Sequence, residues 1–501
     1  MMIVDNDLLS IQQARILAEN AFQAQKKLAT FPQEKLDEIV KGVAEAVAEH
    51  LQGLAVLSHD ETDYGRWEDK YVKNQFVCSN TRRHLWGMRC VGVIAEDSKK
   101  QITDIGVPMG VIAALCPVTS PVSTTIHNTL IAIKSGNAII FSPHPRAEKS
   151  MSKVLDIMIE AATEKGLPEG CLAYLKPISK SGARELMNHQ NTSLILMSGV
   201  PGMLPEAKAS GKPVIYGGTG NGPAFIERTA DIDQAVKDII ASKTFDYGVA
   251  PSAEQSVVVD ACISPEVKRA FQKHGAYFMS EEDSLRLAEM FFTPDGRRRA
   301  GMVGVSAERL ARRAGIRVPV GVKLLVADRR YVSESDPYSR ELLAPVLAYY
   351  EEDDWMHACE KCIELLLHER NAHTLVIHSR DEDVIRQFAL KKPVGRLLVN
   401  TPATFGGMGA TTNLFPSMTL GSGSAGSGIT ADNVSPMNLI YTRKVGYGVR
   451  TMETLGGANT IEKPCPESCF GAESSHPLSA ETLQQILTEA IEVINAASAK
   501  K

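Results

Sequence analysis

From residue 110 onward, short β-rich runs alternate with helical stretches, and that alternation restricts this part of the chain to parallel βαβ units. The first run is VIAALC (111–116), followed by the turn PVTSP and a helical stretch through STTIHNTLIAIKSG. The series continues with NAIIFSP, the helical EKSMSKVLDIMIEAATEKG closed by Gly166, CLAYLK, SLILMSG, a helix from about Met203 to Gly211, and PVIYGG. The pattern predicts a doubly wound half over roughly 108–240. Such sheets bind ligands at the carboxyl ends of their strands, where PVTSP, SPHP and SGVPG fall.

A second series begins at SVVVD (256–260) and continues through VKLLVAD (322–328), HTLVIHS (373–379) and GRLLVN (395–400), with helical VSAERLARRAG and DEDVIRQFALKK between them. It predicts a second α/β lobe, with TFDYGVAPSAEQ (244–255) as the joint between the two. Two lobes suit a chain of 501 residues, because single cores stop growing near about 250–300 residues. Ahead of them, residues 7–52 carry two helical patterns, the second placing Leu36, Ile39, Val40, Val43, Val47 and Leu51 at three- and four-residue spacing. GSGSAGSG (421–428) reads as flexible and 459–477 as a linker. The last stretch starts at a capping Ser479 and sets Leu483, Ile486, Leu487, Ala490, Ile491 and Ile494 on one helical face. A tethered amphipathic helix either docks on another molecule or folds back on its parent or a neighbouring copy.

Charge narrows the partners. With 54 basic and 59 acidic residues the formal charge is -5, which gives no footing for nucleic acid or a membrane surface. The opening MMIVDNDLLS has no basic region leading into an apolar core, and no run approaches the roughly 18 apolar residues that span a bilayer, so a cytoplasmic protein is expected. Nine scattered cysteines suit a reducing compartment. Cys359 and Cys362, with His357 nearby, have the spacing of a metal pair, but without a second pair a buried helix face is the expectation and no metal is assigned. GxGxxG is absent, so a dinucleotide site would not take the commonest Rossmann form.

The ordered motifs GVIAALCPVTSPVST, KSGNAIIFSPHPRA, MSGVPGMLPEAKASGKPVIYGGTGNGPAFI, SKTFDYGVAPSAEQSVVV, RELLAPVL, GRLLVNTPAT and MTLGSGSAGSGITADNVSPMNL resemble the CoA-acylating branch of the aldehyde dehydrogenase superfamily, from the N-terminal helices to about residue 445. The resemblance implies an α/β, aldehyde dehydrogenase-like fold of two doubly wound lobes with an oligomerisation strand extension. Its parts are N-terminal helices and a cofactor domain (1–240), a catalytic domain (241–415), an oligomerisation segment (416–445), a linker (446–478) and a C-terminal helix (479–501) similar to encapsulation peptides of bacterial microcompartment cargo. The implied partners are a short aldehyde, coenzyme A, NAD or NADP, further copies of the chain in a dimer-based oligomer, and shell proteins. The match puts Pro117, Thr119, His144, Pro145, Gly199, Gly202 and Gly218 around the dinucleotide, with Glu341 at the nicotinamide ribose and Thr119 also at the catalytic centre.

Two departures within the resemblance bear on chemistry. Gly217 stands where hydrolytic members carry a glutamate base, which favours transfer to a thiol over hydrolysis. Counting forward from Phe245 and backward from Glu254, the nucleophilic cysteine falls at Pro251. Proline supplies neither a thiol nor the backbone N–H that helps bind the oxyanion in this family. Ser252, Ala250 and Cys116 are the nearby substitutes: the first is weakly nucleophilic, the second inert, and the third is expected in the core.

Overall fold

The computed structural model describes residues 5–218, 220–293, 298–369 and 373–452. Residues Met1–Val445 form one compact unit, and Gly446–Lys501 are a separate one; the expected linker beyond 452 and the expected helix at 479–501 lie outside the described residues. Four helices open the chain: α1 (Asn6–Leu28), α2 (Gln33–Ala48), α3 (Leu51–Thr62) and α4 (Trp67–Phe76). The spacing expected over α2 is realised, with Leu36, Ile39, Val40, Val43 and Val47 all buried.

Strands β1 (Gly92–Asp97) and β2 (Ile102–Pro108) pair antiparallel. Next come β3 (Val111–Leu115), β4 (Ala138–Ser142), β5 (Leu172–Tyr174), β6 (Thr192–Ser198) and β7 (Val214–Gly217), the five runs read from the sequence. They make a parallel sheet in the order β5-β4-β3-β6-β7. β3 and β4 are buried at every residue, as is the helix Pro121–Lys134, which is the pattern of a sheet covered on both faces. The strand order reverses between β3 and β6, so the turns after these strands flank a crevice.

The second sheet contains β8 (Pro223–Ile226), β9 (Ser256–Asp260), β10 (Ala276–Phe278), β11 (Leu324–Asp328), β12 (Val346–Glu352), β13 (Thr374–His378) and β14 (Arg396–Val399). Its order is β10-β11-β12-β9-β8-β13-β14, and every neighbouring pair is parallel. The chain therefore enters the second sheet at Pro223, ahead of the boundary at 240, because the four buried residues PAFI already pair with β9 and β13. TFDYGVAPSAEQ accordingly joins the helix Ile232–Thr244 to β9 within this half. Within the expected oligomerisation segment, β15 (Ile440–Gly446) completes a three-stranded sheet with β1 and β2.

The expectation of flexibility at GSGSAGSG is corrected. Ser422 N–H donates to the Tyr216 carbonyl, Gly218 N–H donates to Ser422 Oγ at 2.7 Å, and Ile429 N–H donates to the Val214 carbonyl. A Cβ on Gly426 would stand 2.2 Å from Ser422 Cβ. The small residues serve close backbone approach to β7.

Candidate active site

The loop before β9 is shaped by residues on either side of position 251. Asp246, Tyr247 and Gly248 hold φ of 48°, 51° and 74°, a left-handed run that persists only when its surroundings enforce it. Asp246 is fully buried; its carboxylate accepts from Arg66 N–H at 2.7 Å, Lys70 Nζ at 3.2 Å and Lys73 Nζ, and its own N–H donates to Asp69 at 2.8 Å. Burial pushes this carboxyl upward, but the two ammonium groups and the N–H outweigh it, so it ends below the ordinary carboxylate value. Lys70 also donates to the Thr119 carbonyl at 3.1 Å, and Lys73 to Ser120 Oγ at 2.7 Å, tying the loop to the PVTSP turn.

Downstream, Ala253 N–H donates to the Ala250 carbonyl at 3.0 Å, closing a β-turn with Pro251 at its second position. Proline is favoured there because its φ is preset and its missing N–H is not needed to close the turn. Glu254 accepts from Ala403 N–H through Oε1, while buried Oε2 has no partner, and burial pushes the carboxyl up to about 7. Gln255 Oε1 accepts from Lys243 Nζ at 2.7 Å and from Leu342 N–H at 3.2 Å, which anchors the segment carrying Glu341.

These turns meet at a cleft of about 550 Å³, within the usual range for small-molecule sites. Pro117, Thr119, His144, Gly199, Gly202, Gly218, Pro251 and Glu341 all line it. Pro145 stands outside the lining: it is exposed at the start of a three-residue helical turn, whose one buried residue is Ala147. Cys116 is also outside: it is buried at the end of β3, Asn128 Nδ2 approaches its sulfur at 3.8 Å, and burial pushes its thiol up to about 12. No cysteine occurs among the described residues of the lining. Half-buried His144 accepts Arg146 N–H through Nδ1, and burial lowers its pKa. His357 pairs with Asp354 at 3.0 Å, whereas Cys359 and Cys362 face the core.

Glu341 reaches the cleft with both oxygens engaged: Oε1 accepts from Gly220 N–H at 2.8 Å and Oε2 from Arg298 at 3.1 Å. Burial holds its pKa above the ordinary value despite Arg298. Gly217 is tightly packed, since a Cβ there would stand 3.0 Å from both the Leu420 carbonyl and Thr419 Cγ2, and a base would need these neighbours to give way.

One residue escaped the sequence reading. A Cβ on Gly220 would fall 1.8 Å from the Pro251 carbonyl oxygen and 2.9 Å from His373 Nε2, so backbone and imidazole converge beside position 251. His373 is buried, its Nδ1 pairs with Thr374 Oγ1 at 2.7 Å, and Nε2 has no partner. Burial, with Arg396 beside it, depresses it to about 3, so the imidazole stays neutral and is a poor proton acceptor. Nothing in the strand-like HTLVIHS marks this histidine from the sequence; only the packing against Gly220 does.

The model of the aldehyde dehydrogenase family matches residues 4–282. The chain belongs to that family. It is 35% identical over 485 residues to the bifunctional aldehyde-alcohol dehydrogenase AdhE of Escherichia coli (strain K12), covering 96% of this chain and 53% of that protein, so the chain spans about half the length of that relative. It is 32% identical over 431 residues to the succinate-semialdehyde dehydrogenase (acetylating) of Clostridium kluyveri, covering 86% of this chain and 95% of that protein. Among solved structures, a probable aldehyde dehydrogenase from Listeria monocytogenes EGD-e superposes with a TM-score of 0.88 at 44% identity, over 90% of this chain and 100% of that one. A propionaldehyde dehydrogenase from the fucose utilisation bacterial microcompartment of Clostridium phytofermentans superposes with a TM-score of 0.77 at 27% identity, over 87% and 97%. No helix among the described residues is long and apolar enough to cross a membrane.

Proposed function

We propose that this aldehyde dehydrogenase family member retains a cleft for a nicotinamide dinucleotide and coenzyme A but does not carry out thioester chemistry of its own. The observation behind this is Pro251 in a cleft whose described lining holds no thiol. The lining suits a dinucleotide: Gly199 takes a positive φ at the turn after β6, and a Cβ on Gly202 would meet nothing within 4 Å, leaving open space for a phosphate or ribose. NAD or NADP, when bound, supplies the hydride acceptor. The chain's residues then bind and orient it, with Glu341 as ribose acceptor once Arg298 yields an oxygen, and Pro117, Thr119 and Gly218 as the walls. Such a chain would act as a nucleotide- or CoA-binding scaffold subunit of a bacterial microcompartment. The microcompartment relative and the amphipathic stretch 479–501 support that setting, and the β1-β2-β15 sheet supports a dimer-based oligomer.

A second reading is favoured by coverage: the acetylating relative matches along 95% of its length, which supports an acylating dehydrogenase converting a short aldehyde of the acetaldehyde or propionaldehyde class, CoA and NAD(P) to acyl-CoA. One experiment separates the two. Calorimetric binding of NAD, NADP and CoA is measured beside NADH formation with each aldehyde, for the natural chain and Cys116→Ser. Binding without turnover is the expected result. Turnover by the natural chain would overturn it, with Cys116→Ser showing whether Cys116 is the substitute nucleophile, and absence of all binding would remove the nucleotide role as well.

A further inference from the structure

Away from the cleft, the helix Trp355–His368 buries Cys359 and Cys362 on one face with Leu365 and Leu366. Lys392, which ends the helix Glu382–Lys391, is only 9% exposed and lies over the Phe388 ring at 4.2 Å. Its Nζ stands 2.7 Å from Cys359 Sγ and 2.7 Å from the Cys359 carbonyl oxygen. No described carboxylate pairs with it, although a buried ammonium is costly without a counter-charge. The neighbouring side chain is the Cys359 thiol, a group that hydroperoxides oxidise to sulfenic acid. Cys362, one turn on, has no such donor, and burial pushes its thiol up to about 12.

We propose that Cys359 and Lys392 form a peroxide-responsive covalent pair, closing to a sulfur–nitrogen sulfenamide that staples the two helices. Hydrogen peroxide delivers oxygen to the Cys359 sulfur, giving sulfenic acid and water, and the O–O bond breaks as sulfur is oxidised by two electrons. The Lys392 amine then attacks sulfur, forming S–N and expelling the sulfenic oxygen as water, so thiol, amine and one hydrogen peroxide become the sulfenamide and two waters. Excess thiol reverses the link by reducing the S–N bond to thiol and amine.

The test is peroxide titration of the full chain followed by denaturation, alkylation and peptide mapping. The expected product is a linked peptide pair containing Cys359 and Lys392, lighter by two hydrogens than its parts, reversed by dithiothreitol and absent from Cys359→Ser. In Lys392→Met, Cys359 should instead accumulate as a sulfenic acid trapped by dimedone. The wild-type map decides alone if that variant does not fold. Recovery of Cys359 as an alkylatable thiol under conditions that oxidise exposed Cys262 would overturn the proposal, as would a Cys359–Cys362 disulfide.

Discussion

Restoring a thiol by Pro251→Cys is the sharpest perturbation of the cleft, and the structure sets its two energies. Pro251 occupies the second position of a turn closed by Ala253 N–H on the Ala250 carbonyl, so the exchange keeps that hydrogen bond and loses only proline's restriction of the unfolded chain. The cost is about 0.4–1 kcal/mol. The same exchange returns a backbone N–H, and one oxyanion donor is worth about 2.7–4 kcal/mol, or roughly 10²–10³ in kcat, beyond the gain from having a nucleophile at all. The variant should unfold at slightly lower denaturant, be alkylated at the new thiol, and form NADH from a short aldehyde, CoA and NAD where the natural chain does not. Natural protein that turns over as fast as the variant would refute the reasoning. A folded, dinucleotide-binding variant with a reactive thiol and no NADH would show that the cleft has lost more than its nucleophile.

Three further outcomes follow from the packing. Asp246→Asn leaves Lys70 and Lys73 buried without their shared carboxylate, and urea unfolding should show a loss of about 3–5 kcal/mol; an unchanged midpoint would refute the role of the cluster. Gly217→Glu forces a side chain against the Leu420 carbonyl and Thr419, and should cost about 1–3 kcal/mol in thermal melts without creating hydrolytic turnover; equal stability with new hydrolysis would contradict the steric argument. Glu254 has a folded pKa raised to about 7, so its contribution to stability is present below the unfolded carboxylate range and is lost as pH rises toward about 7; Glu254→Gln should remove that fall from a stability–pH series, and identical slopes would exclude it.

The sequence was legible where local pattern and packing ask for the same residues. The runs at 111–116 and 192–198 are apolar along most of their length because both sheet faces are covered, and the turns after them line the cleft as the strand-end rule requires. PAFI was opaque because four buried residues sit inside a glycine-rich motif whose turn signals dominate, and VLAYYEE because its strand follows directly on the motif holding Glu341. His373 was opaque for another reason: its placement depends on a glycine some 150 residues earlier in the chain, and no local pattern encodes that contact.

Pro251 joins both lessons. The contacts that shape its loop run through Asp246 to two lysines, through Glu254 to Ala403, and through Gln255 to Lys243 and Leu342. None of them uses the side chain at 251, and the close approach of that residue's carbonyl to Gly220 is available to any amino acid. A nucleophile can therefore be exchanged for a turn-forming proline while the motif around it stays intact. That is why the surrounding residues identify the family so readily, while the reaction hangs on a single position.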